Sequence, residues 1–195
     1  MSISLQKGEK VLLVKQSADC LQQVFMGLGW DVAPQKKGLL SFLGVADHID
    51  LDASCLLFNS QQELVDTIWF EQLQSQDGSV RHTGDNVTGE GDGDDELIMV
   101  DLARLPQTVT SLVFVVNSFT GQDFSRVANA RCRLVDQTHN REIANYQLNS
   151  QGAHTAITMV RLYRKGSDWK IHAIGEPGRG KTFHDLLPAI RKHLV

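Results

Sequence analysis

One short stretch, from Asp85 to Glu96, constrains the fold of this chain more than any other. It carries six carboxylates, three glycines and no lysine or arginine, so its formal charge is −6 in a chain whose total is −4. Like charges this close together repel one another unless a cation lies among them. The glycines let the backbone turn its carbonyl groups inward at little steric cost. The fold must therefore hold this stretch as a loop that collects negative charge at one place.

The ligand chemistry of this loop predicts a Ca²⁺ site. Ca²⁺ takes roughly 6–8 oxygen ligands in flexible geometry, whereas Mg²⁺ prefers a strict octahedron and keeps more of its water. A solvated acidic loop is the alternative, but it gives no reason for glycine to alternate with acidic residues from Gly89 to Asp94. The loop is not an EF-hand, because Val87 and Gly89 stand where that motif needs oxygen side chains. Its glycine–acid phrase also occurs once, whereas calcium β-rolls repeat it.

Composition predicts one ordinary soluble globular domain spanning residues 1–195, with 42% hydrophobic and 22% charged residues. There is no run of 18 apolar residues to span a membrane, and the first residues lack the apolar segment of a signal peptide. Three widely separated cysteines fit a reducing cytoplasm better than a disulfide framework or a zinc site. The mildly acidic charge balance argues against nucleic acid as a partner.

Most of the chain reads as short β-strands with turns between them, which predicts a mostly β fold, an antiparallel β-sandwich. The acidic loop joins two of the strands, and turns at 137–140 and 166–168 predict two hairpins. One short C-terminal helix, Leu187–Leu194, is expected to pack on a sheet. Strands are predicted at Val11–Val14, Val24–Trp30, Ile49–Leu57, Thr67–Phe70, Ser79–Thr83, Glu96–Leu102, Ser111–Phe119, Ala130–Val135, Glu142–Leu148, Ala156–Lys165 and Trp169–Gly175.

The strand predicted at Ile49–Leu57 has a polar face as well as an apolar one. Strict alternation places Asp50, Asp52 and Ser54 together on one side of the sheet. Such a polar face is ordinarily exposed to solvent. The family resemblance described next implies a second reading, in which its acids share the ion site of the loop.

Several motifs together resemble the TerD family of tellurium-resistance and stress proteins, over nearly the whole chain. They are Lys7-Gly8, Gly27–Asp31, Asp50–Ser54, the acidic phrase Gly84–Glu96 and Asn129-Ala130. Within the family, the TerZ branch is most similar at Asp66–Phe70, Val116–Phe119 and Val135–Gln137.

This resemblance implies a calcium-binding β-sandwich of the bacterial cytoplasm, encoded with companion proteins that include membrane and metal-sensing components. It implies roles in resistance to tellurite, some phages and pore-forming colicins, but no agreed biochemical activity. Two neighbouring Ca²⁺ ions are expected, because one ion would leave most of the available ligands unused. The ligands implied by the resemblance are Asp50, Asp52, Asp85, Asn86, Asp92, Asp94, Asp95 and Glu96.

The function expected from these residues is that of a non-enzymatic calcium-binding module. Ca²⁺ would order the 85–96 loop into a surface that recognises another protein, either a second Ter-family protein or a membrane-associated Ter component. A permanently bound structural ion is the rival within this class. A Ca²⁺-dependent sugar-binding sandwich is a further alternative, without support beyond the ion.

A nucleotide-binding enzyme is the alternative from a different class. Gly175–Thr182 fits the Walker A spacing, with Lys181 for phosphates and Thr182 for Mg²⁺. Against it, Pro188 would fall inside the helix that a P-loop begins and would clash with the carbonyl of His184. The upstream strands also lack the alternating helices that a parallel sheet requires. A glycine-rich connector to the last helix is therefore preferred.

The remaining candidates are weaker. Cys55 and Cys132 lie in strand patterns as small buried hydrophobes, and Cys20 has no basic neighbour to activate it. His82 is expected at the surface, since imidazole is a poor Ca²⁺ ligand. Pro34–His48 contains a basic and apolar loop over residues 36–44, which either touches a membrane or partner or folds back on the core.

Overall fold

The chain folds into two antiparallel sheets that pack face to face as a β-sandwich. Apolar and polar residues alternate along the strands, which gives each sheet an apolar face for the core between them. The computed structural model describes residues 10–11, 21–31, 49–89, 93–148 and 152–195. In that part of the chain the fold is mostly β with one short C-terminal helix, as predicted.

The strands, in chain order, are β1 (Lys10–Val11), β2 (Gln23–Asp31), β3 (Leu51–Phe58), β4 (Leu64–Ile68), β5 (Val80–His82), β6 (Glu96–Asp101), β7 (Ser111–Ser118), β8 (Ala128–Asp136), β9 (Arg141–Gln147), β10 (Ala156–Lys165) and β11 (Asp168–Gly178). The helix α1 spans Phe183–Ile190, and 3₁₀ turns lie at Phe124–Arg126 and Arg191–His193.

The six-stranded sheet has the order β1-β11-β10-β7-β3-β4, and the five-stranded sheet has the order β5-β6-β2-β8-β9. Both predicted hairpins are present, as β8–β9 and β10–β11. The acidic loop joins β5 to β6 at one edge of the five-stranded sheet. The core between the sheets takes alternate residues of each strand, such as Val24, Met26 and Leu28 of β2.

The helix α1 covers the outer face of the six-stranded sheet. Phe183, Leu186 and Ile190 pack there against alternate residues of β3 and β7, including Leu56 and Val113. Every residue of β3 and β7 is therefore buried, because one face meets the sandwich core and the other lies under the helix or its flanking loops.

The bounds of several elements differ from the prediction, and for two of them the contacts give the reason. The strand expected at Thr67–Phe70 is β4 (Leu64–Ile68), because it pairs with the second half of β3 and the chain turns after Trp69. The helix expected at Leu187–Leu194 begins at Phe183, where the Asp185 carboxylate accepts the N–H groups just before the helix. Residues 12–14 of the first predicted strand and the 36–44 loop lie outside the described residues.

The unequal lengths of neighbouring strands create the place for a site. β4 pairs with β3 only from Cys55 onward, so the first residues of β3 have an edge that β4 does not cover. The loop between β5 and β6 lies at this uncovered edge, and the Glu96 carboxylate accepts the N–H of Ala53 across it. The start of β3 and the acidic loop are thereby brought together.

Candidate metal centre

Three carboxylates from two separate parts of the chain meet at this edge. Oxygen atoms of Asp50, Asp52 and Asp85 all lie within 4.8 Å of one another. Asp52 lies at the start of β3 and Asp50 directly precedes that strand, whereas Asp85 comes from the acidic loop. The Oδ1 atom of Asp50 is buried and accepts no hydrogen bond, which leaves a carboxylate oxygen directed at no protein donor. This donor set is the chemistry that a hard cation requires.

Burial of Asp52 argues against one of the two readings of the polar face of β3. Asp52 is only 3% exposed and Ser54 only 1%, so this face is not an ordinary solvent-exposed one. Leu51, Ala53 and Cys55 point into the sandwich core, as the alternation predicted. The acids of β3 are therefore held in a place where an uncompensated charge is costly.

Glu96 is a fully buried carboxylate that connects three elements. Its Oε2 accepts the N–H of Ala53 at 2.9 Å, and its Oε1 accepts the N–H of Asn86 at 3.2 Å. Nε2 of His82 lies 3.4 Å from Oε2, with both side chains completely inaccessible to solvent. Since Nδ1 of His82 accepts the N–H of Gly84, the ring proton is on Nε2, which is buried and forms no hydrogen bond within the described residues. Glu96 thus supports the site while its own oxygens are occupied by protein donors.

His82 was expected at the surface, and this expectation is wrong. The alternation of β5 turns Val80 and His82 inward and Arg81 outward. That period-2 signal was present in the sequence and would have placed the ring beside the acidic loop.

Burial and electrostatic repulsion together perturb Asp50 and Asp52. Burial, together with the charges of Asp85 and Glu96, raises the pKa of Asp50 to about 6. Burial, and then the charges of Asp50, Glu96 and Asp85, raises the pKa of Asp52 to about 8. Both shifts show that the site resists accumulating negative charge in the absence of a cation. A divalent ion would reverse this penalty.

The acidic loop has an internal turn built around Asn86. Its Oδ1 accepts the N–H groups of Thr88 and Gly89, and its Nδ2 donates to Oδ1 of Asp95. Gly89 closes the turn with φ at 63° and lies against the indole of Trp30, which donates to the carbonyl of Ile49. These bonds set the position of Asp85 relative to β3.

Asp94 and Asp95 do not join the three acids of the cluster, because their carboxylates bond to the five-stranded sheet. The Oδ2 atom of Asp95 accepts the N–H of Trp30 at 2.8 Å, which fixes the loop to β2. Burial raises the pKa of Asp95. Asp94 lies over Gly27 of β2 and forms a bidentate pair with Arg133, with Nη2 to Oδ2 at 2.7 Å. Asp92 lies outside the described residues.

The structure therefore brings together part of the sequence-predicted ligand set. Asp50, Asp52 and Asp85 form the cluster, Glu96 and Asn86 border it through hydrogen bonds, and Asp94 and Asp95 bond to the five-stranded sheet. In the described part of the chain this is the single group of three acidic, histidine or cysteine ligands close enough for one ion.

Asn117 borders the cluster and was missed as a site residue. It lies in β7 directly opposite Asp52, is 1% exposed, and donates through Nδ2 to Oδ2 of Asp52 at 3.1 Å. Sequence reasoning noticed the Val116–Phe119 phrase only as part of a resemblance, because the pairing of β7 with β3 spans distant parts of the chain.

The Walker-like segment Gly175–Thr182 does not form a phosphate cradle. The amide of Gly180 donates to Oγ1 of Thr155, and the amides of Lys181 and Thr182 donate to the carboxylate of Asp185. An internal carboxylate thus occupies the donors that a phosphate would need. The strand that leads into the segment, β11, is antiparallel to both of its neighbours, whereas a P-loop follows a strand of a parallel sheet. The expected objection from Pro188 was wrong, because α1 begins at Phe183 and continues through that proline.

Thiol chemistry also finds no support at two of the cysteines. Cys55 and Cys132 are fully buried, and burial raises the pKa of each thiol. Both are inert core residues, as interpreted from the strand pattern.

No helix in the described ranges combines the length and apolar character needed to cross a membrane.

The chain is similar in sequence to known proteins over most of its length. A family model described as "TerD domain" matches residues 1–188. The chain is 51% identical to "Tellurium resistance protein TerZ" of Serratia marcescens over 185 residues, covering 94% of each chain. It is 40% identical to "Stress response protein SCP2" of Bacillus subtilis, covering 96% of this chain and 98% of the relative.

A solved structure shares the fold. It is described as a homologue of telluride resistance protein (TerD) from Streptomyces coelicolor, and it aligns with a TM-score of 0.70 at 20% identity. The alignment covers 82% of this chain and 92% of the other.

Proposed function

Because the chain belongs to the TerD family of tellurium-resistance and stress-response proteins, we propose that it is a non-enzymatic Ca²⁺-binding module of such a system. The resemblance noted in the sequence, including that to the TerZ branch, is confirmed. The observation that carries the proposal is the meeting of Asp50, Asp52 and Asp85 beside the buried Glu96. Ion binding would order the 85–96 loop as a recognition surface for another protein.

The residues present fit a hard cation in three respects. The donors are all carboxylate oxygens, one of them a buried oxygen of Asp50 with no hydrogen-bond partner. Burial and mutual repulsion oppose ionisation of Asp50 and Asp52, so a divalent charge would relieve the repulsion. Asp85 belongs to a glycine-rich loop, which can adapt to the flexible coordination of Ca²⁺.

We propose one ion at this cluster. The second ion was expected because one ion would leave most of the eight ligands unused, and it stays a prediction. Of the ligands outside the cluster, Asp94 and Asp95 bond to β8 and β2, and Asp92 lies outside the described residues. The cytoplasmic location, the partners from the same system and the absence of an enzymatic activity stay predictions.

Calorimetric titration with Asp85→Asn tests the proposal. Asp85 is exposed, so the change removes one ligand charge without disturbing the core. Ca²⁺ affinity should fall at least about tenfold, the equivalent of ~1.4 kcal/mol, and Mg²⁺ should bind the wild type more weakly than Ca²⁺.

The matched control is Asp168→Asn, the same substitution at an exposed residue of the β10–β11 hairpin. Its Ca²⁺ affinity should equal that of the wild type. If the wild type gives no Ca²⁺ binding isotherm, or if both variants bind equally well, the cluster is not the site.

Stabilisation by Ca²⁺ should increase with pH. The folded pKa values of Asp50 and Asp52, about 6 and about 8, lie above the unfolded value of about 3.9. The folded metal-free protein therefore binds more protons than the unfolded chain, and it loses stability as the pH rises through this window. The shift in melting temperature between EDTA and Ca²⁺ should be larger at pH 8 than at pH 5.5. An equal shift at both pH values would contradict the role of these two acids.

A further inference from the structure

Asn117 occupies a position between the acidic cluster and the start of the C-terminal helix. One N–H of its side-chain amide donates to Oδ2 of Asp52, and the same Nδ2 atom donates to the main-chain carbonyl of Lys181. Asn117 is 1% exposed, so its amide is shielded from bulk water. Breaking either bond would leave a buried polar group without its partner, which costs about 1–3 kcal/mol.

The backbone around Asn117 connects the same two regions. On one side, Phe119 donates its N–H to the carbonyl of Asp50 at 3.0 Å. On the other side, Ser118 donates its N–H to the carbonyl of Thr155, whose Oγ1 accepts the amide of Gly180. The end of β7 is thus bonded to the cluster and to the 179–182 connector at once.

The connector sets where α1 begins. Lys181 donates its N–H to the Asp185 carboxylate at 2.8 Å, and Thr182 is the N-cap of the helix. The next residue, Phe183, packs against the sheet and makes an edge-to-face contact with Trp69 at 5.0 Å between ring centroids. A change in the carbonyl position of Lys181 would therefore reach the first turn of α1.

We propose that Asn117 couples ion binding at the Asp50–Asp52–Asp85 cluster to the docking of the first turn of α1. This inference rests on the proposed Ca²⁺ site. An ion fixes the orientation of the Asp52 carboxylate, and that carboxylate fixes the amide of Asn117. The second N–H of the amide then holds the Lys181 carbonyl, so the helix start is more ordered with the ion than without it. Asn117 is a positioning residue in this scheme and not a ligand.

The surface affected lies beside the cluster and is aromatic. Trp69 also contacts Phe70, which contacts the 43% exposed Phe119 at 5.5 Å, and His184 stacks on Phe183 at 4.0 Å. Ion binding would then change two neighbouring surfaces, the acidic loop and this aromatic group at the helix start.

Hydrogen exchange measured by mass spectrometry tests the coupling. In the wild type, Ca²⁺ should slow exchange of the amides of residues 183–190 by at least about fivefold relative to EDTA, the lower end of ordinary coupling. In Asn117→Ala, Ca²⁺ should still bind at higher concentration, but exchange in α1 should no longer respond to it. Asn145→Ala is the matched control, since Asn145 lies in β9 of the other sheet and its side-chain amide donates to Glu142.

A second variant keeps the test decisive if Asn117→Ala does not fold. Asp185→Asn weakens the connector from the helix side and changes no residue of the cluster. Because coupling is reciprocal, it should weaken Ca²⁺ binding at least about twofold while it accelerates exchange in α1.

The outcomes separate the two proposals. Ca²⁺ binding to the wild type without any change in α1 exchange overturns the coupling and leaves the ion site intact. Unchanged Ca²⁺ affinity in Asp185→Asn, with faster exchange in α1, also overturns the coupling. Failure of the wild type to bind Ca²⁺ overturns the proposed function itself.

Discussion

Saturating Ca²⁺ should raise the melting temperature of this protein by about 8–16 °C relative to EDTA. An ion that binds the folded state alone stabilises it by about 4 kcal/mol when its free concentration is a thousandfold above Kd. For a domain of this length, each kcal/mol shifts the melting temperature by about 2–4 °C. The cluster exists only when β3 and the acidic loop are folded together, so the unfolded chain offers no comparable site. Differential scanning calorimetry with a chelator and with excess Ca²⁺ measures the shift.

Asp52→Asn should abolish this shift without unfolding the protein. The substituted amide keeps an oxygen for the bond from Asn117 but removes a charge that repels Asp50, Glu96 and Asp85. In EDTA at pH 8 the variant should therefore be at least as stable as the wild type. A variant that keeps the full Ca²⁺ shift, or that melts well below the wild type in EDTA, would contradict this account of the cluster.

Gly89→Ala should destabilise the protein by about 2–5 kcal/mol. Gly89 has φ at 63°, a conformation that costs an L-residue roughly 1–2 kcal/mol. An added Cβ would also lie 2.4 Å from Nε1 of Trp30, a side chain that is 3% exposed and bonded to Ile49. Overpacking of this kind costs about 1–3 kcal/mol more. Chemical denaturation measures the loss.

Gly166→Ala is the matched control for that result. Gly166 has nearly the same φ, 65°, but no atom lies within 4 Å of the added Cβ. Its cost should be the backbone term alone, about 1–2 kcal/mol. Equal losses at the two positions would mean that the contact between the loop and Trp30 contributes nothing.

The sandwich could be predicted from the sequence because period-2 alternation is a local signal. It placed Leu51, Ala53 and Cys55 in the core, and it identified both hairpins from their turns. The start of α1 was missed because it depends on a side chain three residues into the helix, Asp185, which bonds back to the connector.

The candidate site could be predicted only in part, because composition and alternation are local signals. Composition identified the acidic loop, and alternation identified the acidic face of β3. The sequence could not show which of these acids lie close together. Asp94, for example, is neutralised by Arg133 of β8, and only the pairing of the strands brings Arg133 near it. The connection from Asp52 through Asn117 to Lys181 likewise joins three segments that are distant in the chain.

The acidic cluster also has a consequence for the order of folding events. Asp50 and Asp52 belong to the six-stranded sheet, and Asp85 belongs to a loop of the five-stranded sheet. An ion held among them would act as a cross-link between the two sheets that forms only after they have met. Interactions absent from the transition state slow unfolding and leave the folding rate almost unchanged. For a protein of this design, calcium would lengthen the lifetime of the native state more than it would speed its formation.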